Sequence, residues 1–262
     1  MEKLHHPLWI VEAINWLFGP LVAAALKALG RPVPPPGAVI PDYLVMSAII
    51  VIALTVMCLL VRSGLSVDNP SRIQVLFEDG VSALQSLMTD YIGPKGAKYL
   101  PLGASIFIFI LCANLMGLVP GLMAPTENIN VPLGCALTVW FYYHIEGVRT
   151  QGLGHYALHF AKPPGAPLFT APLMLLIEPI SHLARIMSLT LRLFGNVFGE
   201  ELVIAIIFSI IPILAPVPMM FMGIITGSLQ AYIFLLLTAI YLGGAVATEH
   251  DVEAHPEAVA GI

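Results

Sequence analysis

Charge is scarce in this chain. Of its 262 residues only 10% are Asp, Glu, Lys or Arg, against 58% hydrophobic, whereas a soluble domain carries about a quarter charged residues. With a mean hydropathy of +0.89, most of the chain must be solvated by lipid. Eleven basic and sixteen acidic residues give a formal net charge of −5, which leaves no basic patch for nucleic acid. Cysteine is rare: Cys58, Cys112 and Cys135 sit in apolar runs at no metal-ligand spacing. An odd count argues against a disulfide framework, and the three read as small core residues. No cofactor or metal site is expected. The start, "MEKLHHPLWIVEAINWLFGP", lacks the charged n-region and small-residue exit of a signal peptide, so insertion is expected to use the first true span, with nothing removed.

What the chain has is long apolar runs. Residues 8–29 mix Trp9, Trp16 and Phe18 with Glu12, Asn15 and Lys27, which suits a helix lying at the interface better than a span. Arg31–Pro41 is a stiff proline linker. Leu44–Val61 is free of charge and closed by Arg62, the pattern of a transmembrane helix. The stretch "RIQVLFEDGVSALQSLMTDYI" is amphipathic. A second span runs from Tyr99 to about Val119, stopped by Pro120 and Gly121, and a third ends near Ile145. The stretch "GVRTQGLGHYALHFAKPPGAP" is polar enough to lie at a surface. Pro172 to Ile211 then forms a helix that at ~1.5 Å per residue reaches ~60 Å, about twice the thickness of a bilayer core. Pro212, Pro216 and Pro218 break it, and a last helix continues to about Val246. The expected fold is therefore all-α, with about five transmembrane helices, the last two a long tilted hairpin, plus interfacial amphipathic helices. Residues 1–41 form an N-terminal interfacial segment and linker, 42–246 the transmembrane domain, and 247–262 an acidic tail. Six Lys or Arg lie in the segments after spans one and three, and none in the loops after spans two and four. Positive-inside counting places the N-terminus outside and the C-terminus in the cytoplasm.

The fourth span is unusual. It carries Glu178, Ser181, His182, Arg185, Ser188, Arg192, Asn196, Glu200 and Glu201 in an otherwise apolar run. Glu178, Arg185 and Arg192 recur every seven residues and drift only about 20° per step. A polar stripe therefore follows one face, with Asn196 ~40° beyond Arg192 and Glu201 about opposite it. Ser181, Ser188 and His182 read most simply as interhelical hydrogen-bonding contacts. Arg192 does not: a midplane arginine costs at least ~2.5–3.5 kcal/mol on insertion scales, and such groups mark ion pathways. A purely structural anchor would not carry it. The carboxylates of its own helix lie too far along it to pair simply, so its counter-charge is expected outside the chain. Arg192 and Gln230 are each 19 residues from Ile211, which in an antiparallel hairpin puts them level, ~28 Å from the turn. A secondary transporter with a midmembrane ion site would predict inverted repeats or paired broken helices, and no internal repeat is present.

With these residues in hand, "EPISHLARIMSLTLRLFGNVFGEEL" and "LQAYIFLLLTAIYLGG" resemble subunit a of the F-type ATP synthase membrane sector. "NLMGLVPG" (Asn114–Gly121) and "PTENINV" (Pro125–Val131) resemble earlier signatures of that family, in the same order. The resemblance implies a non-catalytic, proton-translocating stator of the bacterial inner membrane. It would face a ring of c subunits, join peripheral-stalk b subunits and contact the catalytic sector only indirectly. It also implies two offset half-channels. Arg192 matches the family's essential arginine, Asn196 and Gln230 its polar neighbours, and Glu201 the channel-lining acid. Glu178 and Ser181 match the other half-channel, and Asn114, Thr126 and Asn130 positions near the outer entrance. Where some members place a titratable group on the last helix, this chain has Gly223, and it has a doubled acid, Glu200 and Glu201. The sequence reading turns Glu201 toward the last helix and lets Glu200 relay protons toward the ring, the two carboxylates sharing the task. Sodium would need several oxygen ligands, mostly on the ring; the reading here is protons.

Overall fold

A computed structural model describes residues 9–35, 39–67, 69–119, 121–154, 156, 171–210 and 216–246. Part of the proline linker, most of the surface stretch after the third span, the turn at 211–215 and the acidic tail lie outside the described residues. Every regular element among them is helical. In chain order they are α1 (Trp9–Ala28), α2 (Asp42–Ser63), α3 (Arg72–Ile92), a short 3₁₀ turn at Gly96–Tyr99 and α4 (Leu100–Met116). A second 3₁₀ turn at Pro125–Glu127 follows, then α5 (Asn130–Gln151), α6 (Ala171–Ile210) and α7 (Pro216–Val246). The protein is an all-α membrane protein.

Five helical stretches are long and apolar enough to cross a membrane: Trp9–Ala28, Asp42–Ser63, Gly96–Met116, Leu173–Ile210 and Val217–Val246. The number agrees with the sequence reading, but one member differs. The first helix, expected at the interface, meets the criterion because Glu12 and Lys27 stand near its ends. The helix expected as third span, α5, does not meet it, because Tyr142, Tyr143, His144, Glu146 and Arg149 crowd its second half. Two further expectations are corrected. Pro216 and Pro218 do not break a helix. They lie in the first turn of α7, where backbone N–H groups have no intrahelical partner to lose. Cys58 is exposed on α2 rather than in a core, while Cys112 and Cys135 are half-buried.

The chain forms two compact units from interleaved stretches. The first comprises the described residues of Met1–Ser63, Phe109–Val131 and Asn196–Ser228. Its apolar centre is Val11, Val45 and Met46, with Ile10, Ile14, Ile40, Ile49 and Met116 packed around them. Asn15, buried on α1, fixes the end of the linker: its Nδ2 donates to the Ile40 carbonyl at 3.1 Å and its Oδ1 accepts from the Ile40 N–H at 2.9 Å. The amide satisfies backbone groups that no helix could.

The second unit comprises the described residues of Gly64–Ile108, Pro132–Gly195 and Leu229–Ile262. Met88, Leu235 and Ala239 form its centre, packed by Leu84, Leu87, Ile92 and Phe107. Helix α3 starts at Ser71, whose Oγ accepts the Gln74 N–H at 3.2 Å, a side-chain cap. Glu146, buried near the end of α5, is bonded by Lys98 Nζ at 2.7 Å and Arg149 at 2.9 Å. Two cations satisfy one carboxylate, the condition for burying it.

Candidate functional site

In the first unit, the polar groups at the end of α4, in the Pro125–Glu127 turn and on α6 and α7 converge. Asn114 is buried on α4; its Nδ2 donates to the Gly227 carbonyl at 3.0 Å, and its Oδ1 accepts from Thr126 Oγ1 at 2.9 Å. Thr126 is fully buried, so this pair locks the turn onto α7. The Glu201 carboxyl reaches the same turn. The Glu127 carboxyl and the Ala124 backbone lie beside it. Gly117 makes room for it: a Cβ there would lie 2.8 Å from the Ala124 Cβ and 3.2 Å from Glu201 Oε1.

Glu200 turns the other way. Thr226 Oγ1 on α7 donates to Glu200 Oε2 at 3.2 Å. The Glu200 carboxylate fills the space over Gly223, where a Cβ would overlap it. The faces are therefore exchanged relative to the sequence reading: Glu200, not Glu201, meets the last helix, and Glu201 lies beside Glu127. Glu127 was missed, although it stands between Thr126 and Asn130 in a loop without basic residues. Asn130 is exposed, and its Nδ2 donates to the Tyr43 hydroxyl at 3.3 Å, apart from this network. Asn196 is exposed on α6. Gly223→Ala forces an overpacking of about 1–3 kcal/mol that Glu200 relieves by swinging away from Thr226. A lower melting temperature of the detergent-purified chain is the expected result, partly restored by Glu200→Ala in the same chain, which removes the larger part of the overlap.

In the second unit, α6 carries Glu178, Ser181, His182, Arg185 and Arg192. Glu178 and His182 are one turn apart, with His182 Nε2 3.8 Å from Glu178 Oε2. The other ring nitrogen, Nδ1, is 2.8 Å from the hydroxyl of Tyr143, a fully buried residue of α5. The Arg185 guanidinium lies 4.7 Å from the Tyr241 ring centroid, a cation–π contact, and is near Tyr143 as well. Ser181 is half-buried and Gln230 buried. Arg192 is exposed and makes no hydrogen bond or ion pair among the described residues. Among the described residues, no group of three or more His, Cys, Asp or Glu side chains is placed to hold a metal.

Five membrane-length apolar helices, one of them carrying carboxyls, a histidine and arginines along its length, define a class: a polytopic membrane protein with ionisable groups of the kind that mark ion pathways. Comparison with known proteins supplies the family. The family model for the ATP synthase A chain matches residues 44–243. ATP synthase subunit a of Solibacter usitatus is 44% identical over 80% of this chain and 88% of its own length. Its counterpart in Koribacter versatilis is 38% identical over 94% of this chain and 99% of its own, and that of Geobacter sulfurreducens 36% identical over the same shares. The chain belongs to the ATP synthase A chain family. It is a non-catalytic membrane-sector subunit serving proton transport in ATP synthesis.

Proposed function

We infer that this chain is the proton-channel stator of a rotary ATP synthase, carrying protons through two half-channels to and from carboxylates on a ring of c subunits. The observation that carries the reading is Arg192, exposed on an apolar helix with no counter-charge among the described residues. A facing cation favours the ionised form of a carboxylate, so a ring carboxylate arriving opposite Arg192 releases its proton. Arginine stays charged throughout, whereas a desolvated lysine shifts its pKa. The same fixed charge bars protons from hopping directly between the half-channels, and each crossing is driven by ~2.3 kcal/mol per 100 mV.

The Glu127–Glu201 pair and Glu200 serve one half-channel, with Asn114 and Thr126 holding its wall. Glu127 Oε2 and Glu200 Oε1 are buried without a hydrogen-bond donor among the described residues, which is costly for a carboxylate unless water reaches it. Glu178 and Ser181 serve the other half-channel, with Asn196 and Gln230 flanking the arginine. Asn130, exposed beside Tyr43, belongs to the outer entrance. The bacterial inner membrane, an N-terminus outside with α1 in the interface and α5 as the third crossing, and a cytoplasmic C-terminus complete the reading. Peripheral-stalk b subunits hold the chain against the ring. Mild-detergent isolation of the tagged chain tests this: a ring of small hairpin proteins with a midmembrane carboxylate should co-purify, and isolation without one would refute the reading.

A further inference from the structure

His182 is the histidine whose two ring nitrogens both face partners that exchange protons. Nδ1 lies 2.8 Å from the Tyr143 hydroxyl and Nε2 3.8 Å from the Glu178 carboxylate. The ring is largely shielded, with a side-chain exposure of 13% against 25% for Glu178. The groups around it come from each element packed on it. Glu178 and Arg185 stand on α6. Tyr143 and His144 stand on α5, the His144 ring 4.9 Å from that of His182. Tyr156 is bonded to His144 Nδ1 at 3.1 Å, and Tyr241 of α7 lies beside Arg185. Arg185 is near Tyr143 as well. A purely structural histidine needs one good partner; this one is fixed at one nitrogen and presented to an acid at the other.

We propose that His182 is a proton-relay residue of the Glu178 half-channel, and that Tyr143 is the positioning residue that fixes its ring. The inference rests on the half-channel reading above and adds to it a group that the sequence had assigned to packing. On α6, His182 stands four residues, ~6 Å of helical rise, nearer to Arg192 than Glu178 does, so a relay through it moves a proton along the helix in the required direction. With the proton on Nδ1, that N–H donates to the Tyr143 oxygen and the Nε2 lone pair faces Glu178. Transfer breaks the O–H bond of a protonated Glu178 and forms an Nε2–H bond, leaving a carboxylate and an imidazolium as an ion pair. The imidazolium then loses one N–H proton to water on the Arg192 side and returns to neutral. The proton count is conserved, and both steps reverse in the opposite direction of rotation. Imidazole suits this because it accepts at one nitrogen while the other stays bonded. Tyr143, which both donates and accepts, keeps the ring in place in either protonation state.

The test uses the whole reconstituted ATP synthase, with proton flux normalised to assembled complex and measured against pH. His182→Gln retains an amide that can bond Tyr143 but cannot carry a proton. Flux should fall by about a hundredfold, and the inflection that the histidine gives the wild-type pH profile should vanish. His182→Ala should recover flux when imidazole is added to the medium, which a packing defect would not do. Tyr143→Phe keeps the ring packing and should displace the inflection with assembly intact, so it decides the matter even if the His182 variants fail to assemble. His182→Gln with wild-type flux and pH profile would overturn the relay. So would a His182→Ala loss that imidazole does not rescue, or an unmoved profile in Tyr143→Phe. Arg192→Ala in parallel separates the two claims: if it abolishes pumping while His182→Gln does nothing, the relay falls and the half-channel reading stands.

Discussion

Replacing Arg192 by alanine abolishes ATP-driven proton pumping and leaves the membrane permeable to protons. The guanidinium is exposed on α6 and has no counter-charge among the described residues, so no neighbour in the chain can take over its charge. On the proposed reading, ring carboxylates without it no longer meet a cation that forces release, and nothing stops protons from passing directly between the two half-channels. Loss of both coupling and proton tightness is the expected result in inverted vesicles, read by fluorescence quenching during ATP hydrolysis and by passive decay of an imposed gradient. Arg192→Lys keeps a positive charge and should block pumping with less leakage, because a lysine ammonium loses its charge only in part on desolvation. Normal pumping by the alanine variant would contradict the role given to this residue.

Glu201→Gln slows proton flux by about a hundredfold or more, the scale on which positioned acid–base groups act. The Glu201 and Glu127 carboxyls meet beside the Pro125–Glu127 turn, where, on the proposed reading, one acid hands a proton to the other. The amide keeps the polar contact but cannot make the transfer. Glu127→Gln removes the second member of the pair and should be similarly harmful. Glu200→Gln alone should be milder, since Glu200 is bonded to Thr226 rather than to the pair. The double change Glu200→Gln with Glu201→Gln should be far worse than either, because it removes the acids on both faces of α6. Flux measured on the reconstituted complex decides: a wild-type rate in the double variant would take both residues out of the path.

Most of the helices were legible in the sequence because lipid imposes a simple rule of length and apolarity. Pro172–Ile211 was expected and Ala171–Ile210 is found. Arg192 stood out for the same reason, being expensive in that setting. What the sequence could not give was the rotation of α6 against its neighbours. One residue turns a side chain by ~100°, so whether Glu200 or Glu201 meets α7 depends on tertiary packing that no periodicity records. The assumption that Glu201 packs toward the next helix in the chain failed because its partners, Gly117, Ala124 and Glu127, come from much earlier in the sequence. The Tyr143–His182 contact was hidden likewise, its members being 39 residues apart. Pro216 and Pro218 misled for a different reason: the same residue that ends one helix is well suited to begin the next.

The central claim is that the missing partner of Arg192 is a carboxylate on another chain, and a zero-length cross-link tests it most directly. In the assembled Arg192→Lys complex, a carbodiimide should join the ε-amine at position 192 to a ring carboxylate as an amide, found by mass spectrometry as one peptide pair between the two chains. A product joining position 192 to this chain's own Glu178, Glu200 or Glu201 in place of the ring would contradict the account.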